Sequence, residues 1–343
     1  MLLVLCACSA GSIGQPSGAS GPSALPMRVA AKPADSLFYV TNFHTLTLYD
    51  TAGGSLEATM STRQIEFPIA LAADKSGNLY VGNSAGGNHD DGQITQYGPT
   101  SPKVVRTIAK GVWNPFSLAV DSAGNVYSAN QFGSSVTVYA PGSKQPLRTI
   151  KNGVSVPVVV LLDASDNVYV ANTSGTGSIT EYPAGGTAPS RTITAGVNLP
   201  LSMALDKKGN IFVGNYLGHN VSEYPPGKTT PSHVFDQGIV PVSIAIDAKN
   251  DVYVAAYGKK GVTQYAAGSL KTIRTITSGI NYPRTVAIAP GGQVVVTNYG
   301  INEEAGSVTI YGAKGTAMLH EITDGVESPI AIALAVPHVS IGP

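Results

Sequence analysis

Leu71-Ala-Ala-Asp74-Lys-Ser-Gly77-Asn78-Leu-Tyr80-Val-Gly-Asn83 decides how this chain reads, because it is written again as Leu118-Ala-Val-Asp121-Ser-Ala-Gly124-Asn125-Val-Tyr127-Ser-Ala-Asn130. It returns around Asp163, Asp206 and Asp247, and the successive aspartates are 47, 42, 43 and 41 residues apart. A degenerate copy, with Ala289 in place of the aspartate, ends at Asn298. Such a period marks an array of like supersecondary units. Within each copy the aspartate can accept N–H bonds of its own turn, and the glycine supplies a positive φ. The turn carboxylates Asp74, Asp121, Asp163, Asp206 and Asp247 are therefore read as shape, and the alternating acids of a calcium loop are absent.

Four short β-patterned segments fill each unit. In one unit they are Pro115-Phe-Ser-Leu-Ala-Val120, Asn125-Val-Tyr-Ser-Ala-Asn130, Ser135-Val-Thr-Val-Tyr139 and Leu147-Arg-Thr-Ile150. They are rich in Val, Ile, Thr and Tyr, with Gly, Asn, Asp and Pro between them. Four strands in about 40–45 residues is the pattern of a propeller blade. The tyrosine ending the third segment occurs at Tyr49, Tyr97, Tyr139, Tyr182, Tyr224, Tyr265 and Tyr311. The proline opening the first segment occurs at Pro68, Pro115, Pro157, Pro200, Pro241, Pro283 and Pro329. Each count is seven, but the two are offset. The N-terminal unit starts at its second strand, Leu37-Phe-Tyr-Val-Thr41, and the C-terminal unit has only a first strand, Pro329-Ile-Ala-Ile-Ala-Leu334. The expected fold is thus all-β: a seven-bladed β-propeller of four antiparallel strands per blade, closed by the C-terminal strand pairing into the first blade. Closure removes two unpaired sheet edges.

The first strands carry small residues at the second and fourth positions after proline, as in Ser117 and Ala119 or Ser243 and Ala245. Blades converge near the axis, where little volume is available. Val159 and Leu161 break this pattern in the fourth blade.

The repeated Asp-x-x-Gly-Asn-x-Tyr-Val-x-Asn text, as in Asp206-Lys-Lys-Gly209-Asn210-Ile-Phe-Val-Gly-Asn215, resembles the NHL-repeat class of β-propellers, and more loosely bacterial seven-bladed surface propellers. The resemblance covers about residues 34–336. It implies a rigid ring with variable loops, a frame that serves binding platforms, lactonases, lyases and sensors alike. Many NHL rings have six blades, so seven is a departure.

Lys and Arg number 21, as do Asp and Glu, so no basic surface for nucleic acid is expected. No run of 18 apolar residues exists to make a spanning helix. The cysteines, Cys6 and Cys8, both stand near the start. Leu5-Cys6-Ala7-Cys8 resembles a bacterial lipobox, with Cys8 as the lipidated residue, although no Lys or Arg precedes it. The expected organisation is a signal-like segment over 1–8, a Gly/Ser/Pro-rich tether over 9–33, the ring over 34–336 and a tail over 337–343. This places the chain in the cell envelope, lipid-anchored, or secreted. Any membrane contact is then through the lipid alone, and the chain is expected to be a monomer.

Candidate site residues come from the loops of one face. The residue two before each proline is Glu66, Trp113, Ser155, Asn198, Ile239, Asn281 or Glu327. Of these, Glu66, Trp113, Asn198, Asn281 and Glu327 are the candidate ligand-binding set. The turn after the second strand is long only at Ser84–Gly92 and Gly300–Gly306. With the ring closed, His89, Asp90, Asp91, Glu303 and Glu304 come near Glu66 and Glu327, an acidic sector suited to a divalent cation such as calcium or magnesium. Ordinary solvated loops are the competing reading. The asparagine ending the second strand (Asn42, Asn83, Asn130, Asn172, Asn215, Asn298) is read chiefly as a partner for backbone groups at the turn. No His-x-x-x-His, Gly-x-Ser-x-Gly or phosphate-loop motif occurs, and no catalytic residue is named. Two functions stand open: a binding or scaffold module for a protein, peptide or glycan, and a metal-assisted lyase or lactonase in the acidic sector.

Overall fold

The computed structural model describes residues 37–60, 65, 67–84, 92–99, 103–235, 237–257, 261–300 and 306–334. They form seven four-stranded antiparallel sheets arranged as a ring. Blade three is typical. It runs outward through Pro115–Val120, Val126–Asn130, Ser135–Tyr139 and Arg148–Ile150. Blade one has the order Ile332–Leu334, Leu37–Thr41, Leu46–Asp50, Leu56–Met60, so the last strand of the chain is its inner strand. Phe38 pairs with Leu334, Tyr39 with Ala333 and Val40 with Ile332.

The closing strand is shorter than the expected Pro329–Leu334. Its early residues are held by Thr41 instead of by regular ladder pairing. The Thr41 Oγ1 accepts the Ala331 N–H (2.9 Å), and the Thr41 carbonyl accepts the Ile330 N–H (3.0 Å). The lipobox-like segment and the expected tether and tail lie outside the described residues.

Each pair of neighbouring blades shares one apolar cluster, and the period-two alternation of the strands explains how. The third residue after proline packs toward the preceding blade, and the fourth toward the following one. Val160 joins Ala129, Val136 and Ile150 of blade three, while Leu161 joins the cluster of Met203, Ile211 and Val213 of blade five. Phe38, Val40 and Tyr49 of blade one likewise meet Val295, Val308 and Ile310 of blade seven across the closure.

The small residues near the axis do more than save volume. Ser117 Oγ accepts the Val160 N–H and Ser243 Oγ accepts the Val286 N–H, each at 3.2 Å, linking one inner strand to the next. Thr285 Oγ1 donates to the Ile330 carbonyl at 2.6 Å. Val159 and Leu161 fit because the inner strands of blades four and five approach less closely than other neighbouring six-residue inner strands, and both side chains fill that wider seam.

In each repeated turn the first aspartate bonds locally, as its sequence suggests, while Ser122 of one turn donates to Asp166 of the next. Asp74 Oδ1 accepts the N–H groups of Ser76 and Asn78 (2.9 Å each), and Oδ2 accepts Asn78 Nδ2 (2.8 Å) and the Tyr80 hydroxyl (3.1 Å). Asp166 (φ 61°) and Asn250 (φ 67°) take the left-handed position that Gly77 fills elsewhere.

Candidate functional site: the aromatic mouth of the ring

The loop before each inner strand and the turn after each second strand leave the sheet at the same end, because Pro115 pairs with Asn130 and its equivalents do likewise. The repeated asparagine locks these two connections together. Its Oδ1 accepts the N–H of the residue two before proline: Trp113 from Asn130 (3.2 Å), Ser155 from Asn172 (2.9 Å), Asn198 from Asn215 (3.0 Å), Asn281 from Asn298 (3.0 Å) and Glu327 from Asn42 (3.1 Å). Its Nδ2 donates to a third-strand hydroxyl, such as Thr137 (2.9 Å) or Thr180 (3.0 Å). These asparagines are fully buried, so their first role is to build the face.

A second bond follows directly. The residue after the asparagine donates its N–H to the carbonyl of the residue before proline: Tyr216 to Leu199 (2.9 Å) and Tyr299 to Tyr282 (3.0 Å). In blade six, where Ala256 replaces the asparagine, Tyr257 still donates to Val240 (2.9 Å). The residue before proline is left-handed at Phe67, Asn114, Val156, Leu199, Tyr282 and Ser328, with φ between 48° and 55°. Side chains there cost about 1–3 kcal/mol of backbone strain, which the paired hydrogen bonds must hold. Two side chains per blade are thereby fixed at the mouth of the ring, and many are aromatic.

Rings from adjacent blades touch. Tyr257 of blade six meets Tyr282 at the entry to blade seven, 4.7 Å between centroids. Phe43 of blade one meets Phe67 at the entry to blade two at 4.5 Å, with His44 against both. On blade three Trp113 is 46% exposed beside exposed Phe132, and a Cβ at Gly133 would stand 3.2 Å from Trp113 Cε3. The guanidinium of Arg284 sits over the Tyr299 ring at 4.7 Å. Burial pushes the Tyr257 hydroxyl up from its ordinary value; Arg284 opposes the rise, and Tyr282, Tyr216 and Tyr299 add to it. Arg284 and four tyrosines from three blades therefore share one electrostatic neighbourhood.

The residues expected from sequence are distributed as follows. Trp113, Asn198, Asn281 and Glu327 lie on this face in blades three, five, seven and one, each with its backbone N–H capped by an asparagine. They ring the mouth and do not converge on one pocket. Asn281 also lines a polar cleft of about 290 Å³ on blade seven, with Asn298, Ser307 and Glu321. Glu66, His89, Asp90, Asp91, Glu303 and Glu304 lie outside the described residues, as does Cys8. Among the described residues no group of three or more His, Cys, Asp or Glu could hold a metal ion. The aromatic pairs and Arg284 escaped the sequence reading. The signal was present, since an aromatic follows the second-strand asparagine at Phe43, Tyr216 and Tyr299.

No family model and no curated protein matches the chain. Solved structures do. A protein from Lactobacillus plantarum superposes with a TM-score of 0.72 at 17% identity, covering 87% of this chain and 98% of that one. A provisionally assigned 6-phosphogluconolactonase from Bacteroides fragilis gives 0.68 at 14% identity, covering 87% and 97%. The WD40 β-propeller domain of Doa1 gives 0.65 at 13% identity, covering 82% and 90%. At these identities the likeness is one of fold. With seven sheets, four strands in each and the last strand paired beside the first, this chain is a seven-bladed β-propeller.

Proposed function

We propose that this propeller is a binding module whose ligand is a saccharide docked at the aromatic mouth of the loop face. One observation carries the reading: the backbone bonds joining the two connections of each blade set Phe67, Tyr216, Tyr257, Tyr282 and Tyr299 at the mouth as half-buried rings, and Phe43, whose N–H goes to the Glu327 carbonyl, packs against Phe67 there. A half-buried tyrosine offers an apolar face and a polar tip, which suits a sugar ring with its C–H faces and hydroxyls. The NHL-like repeat text supports a rigid frame for such a surface. An exported location, anchored through Cys8 or secreted, would put the mouth where glycans are met.

Trp113 is the only tryptophan and lies on this face, so its emission is an internal reporter. Titration with soluble oligosaccharides should change that emission or release heat, and Tyr257→Ala with Tyr282→Ala should weaken binding about tenfold or more. A double variant that melts like the parent and binds every saccharide equally well would refute the mouth as the docking site.

The fold likeness to a lactonase-like propeller supports a second reading, hydrolysis of a sugar lactone with a divalent cation in the acidic sector. Chelation separates the two. A binding module keeps its saccharide in excess chelator, and a metal-assisted hydrolase loses turnover.

A further inference from the structure

Arg284 follows Pro283 directly on the inner strand of blade seven, at a bulge that takes it out of register with the second strand. The equivalent residues of the other blades are Ile69, Phe116, Val158, Leu201, Val242 and Ile330, all apolar. The ring thus closes at this position without a charge in every blade but one. Other arginines have evident structural work. Arg106 reaches the Ala140 and Ser143 carbonyls of the next blade, Arg191 pairs with Glu181 and reaches the Lys228 carbonyl, and Arg274 binds Gln264 and the Gly312 carbonyl. Arg284 makes no ion pair among the described residues. Nitrogens of Arg106, Arg148 and Arg274 are likewise buried without a partner, but each of those side chains donates at least one hydrogen bond, whereas Arg284 donates none among the described residues, its Nε is buried, and its guanidinium lies over Tyr299. A buried N–H of a cation left without an acceptor is costly, and an incoming anion relieves that cost.

We infer that Arg284 makes the mouth selective for an acidic saccharide, one whose sugar carries a carboxylate, with the guanidinium fork donating to the carboxylate while the tyrosines around it hold the ring. This rests on the proposed saccharide-docking mouth. One guanidinium balances one carboxylate, and among the described residues the charged or titratable groups that act on Tyr257 are Arg284 and three other tyrosines. The rigid fork matches the planar anion in a way an ammonium cannot.

The test uses the whole chain and a panel of uronic-acid trimers (galacturonate, glucuronate and mannuronate), their uncharged methyl esters, and inorganic phosphate. Binding is followed by calorimetry and Trp113 emission. At least one acidic trimer should bind about ten- to a hundredfold more tightly than its methyl ester. Arg284→Gln should erase that difference, while Arg284→Lys should restore only part of it. Melting curves of both variants check that they fold. Equal binding of acid and ester, or an acid preference that survives Arg284→Gln, overturns the inference and leaves the docking mouth intact. Binding of phosphate with no acidic trimer bound also overturns it. Absence of all saccharide binding, charged or neutral, overturns the docking mouth itself.

Discussion

At the scale of single residues, one buried asparagine per blade sets the loop face. Asn298 Oδ1 takes the Asn281 N–H while its Nδ2 reaches Thr309 Oγ1 at 3.1 Å. Asn298→Ala leaves both groups without that partner inside the protein, so a loss of about 1–3 kcal/mol in a urea titration is expected. Its saccharide affinity should fall too, because the loop that carries Tyr282 loses its anchor. The third-strand tyrosines work between blades in a similar way. The Tyr182 hydroxyl donates to the Asn152 carbonyl (2.6 Å) and that of Tyr311 to the Ser278 carbonyl (2.5 Å). Burial pushes both hydroxyls up from 10.0 to about 12. The folded chain therefore keeps phenolic protons that the unfolded chain gives up above pH 10. Their contribution is complete below pH 10 and is lost as pH rises toward 12. Melting temperature should hold level to about pH 9.5 and then drop. Tyr182→Phe combined with Tyr311→Phe should make that drop shallower.

At the scale of elements, close approach of neighbouring inner strands limits what each position tolerates. A Cβ on Gly214 would collide with Ser202 Oγ and stand 3.2 Å from Pro241 Cβ on the next blade. Gly214→Ala should cost about 1–3 kcal/mol by overpacking, and Ser202→Ala in the same chain should recover part of it. The seam between blades four and five is the opposite case. Val159 and Leu161 fill a wider gap there, so Leu161→Ala opens a cavity and should destabilise by about 2–5 kcal/mol in the same titration. The sequence marked Val159 and Leu161 as breaks in the small-residue pattern, and only the packing of the blades explained them.

At the scale of the whole molecule, the ring is one cooperative object because its ends meet in one sheet. The cluster of Phe38, Val40, Val295, Val308 and Ile310 spans that junction. Removing residues 328–343 withdraws the inner strand of blade one and exposes the edges that closure had paired. The truncated chain should melt at a lower temperature as a whole, with amide exchange accelerated in every blade. Protection lost only near Leu37 and Leu56 would show that the blades are stable independently. The second reading makes its prediction at this scale: if a cation is held by the proposed acidic sector, millimolar calcium or magnesium raises the melting temperature, and an unchanged value counts against a cation there.

The blade count, the closing strand and the local role of the turn aspartates could all be read from the sequence, because each depends on contacts within about 45 residues or on a tally of repeated signals. Asp74 bonds only to residues within its own turn and the strand that follows, so nothing distant decides its role. The mouth was different. Tyr257 and Tyr282 are 25 positions apart and meet only because consecutive blades turn the same edge toward the axis. Arg284 is one of many arginines on paper. Its lack of any hydrogen-bond or ion partner among the described residues becomes visible only when the ring sets it over Tyr299, away from the carbonyl, carboxylate and hydroxyl groups that engage the others. Periodicity carries local geometry, whereas the company a side chain keeps across a seam depends on how blades pack, which no repeat of text records.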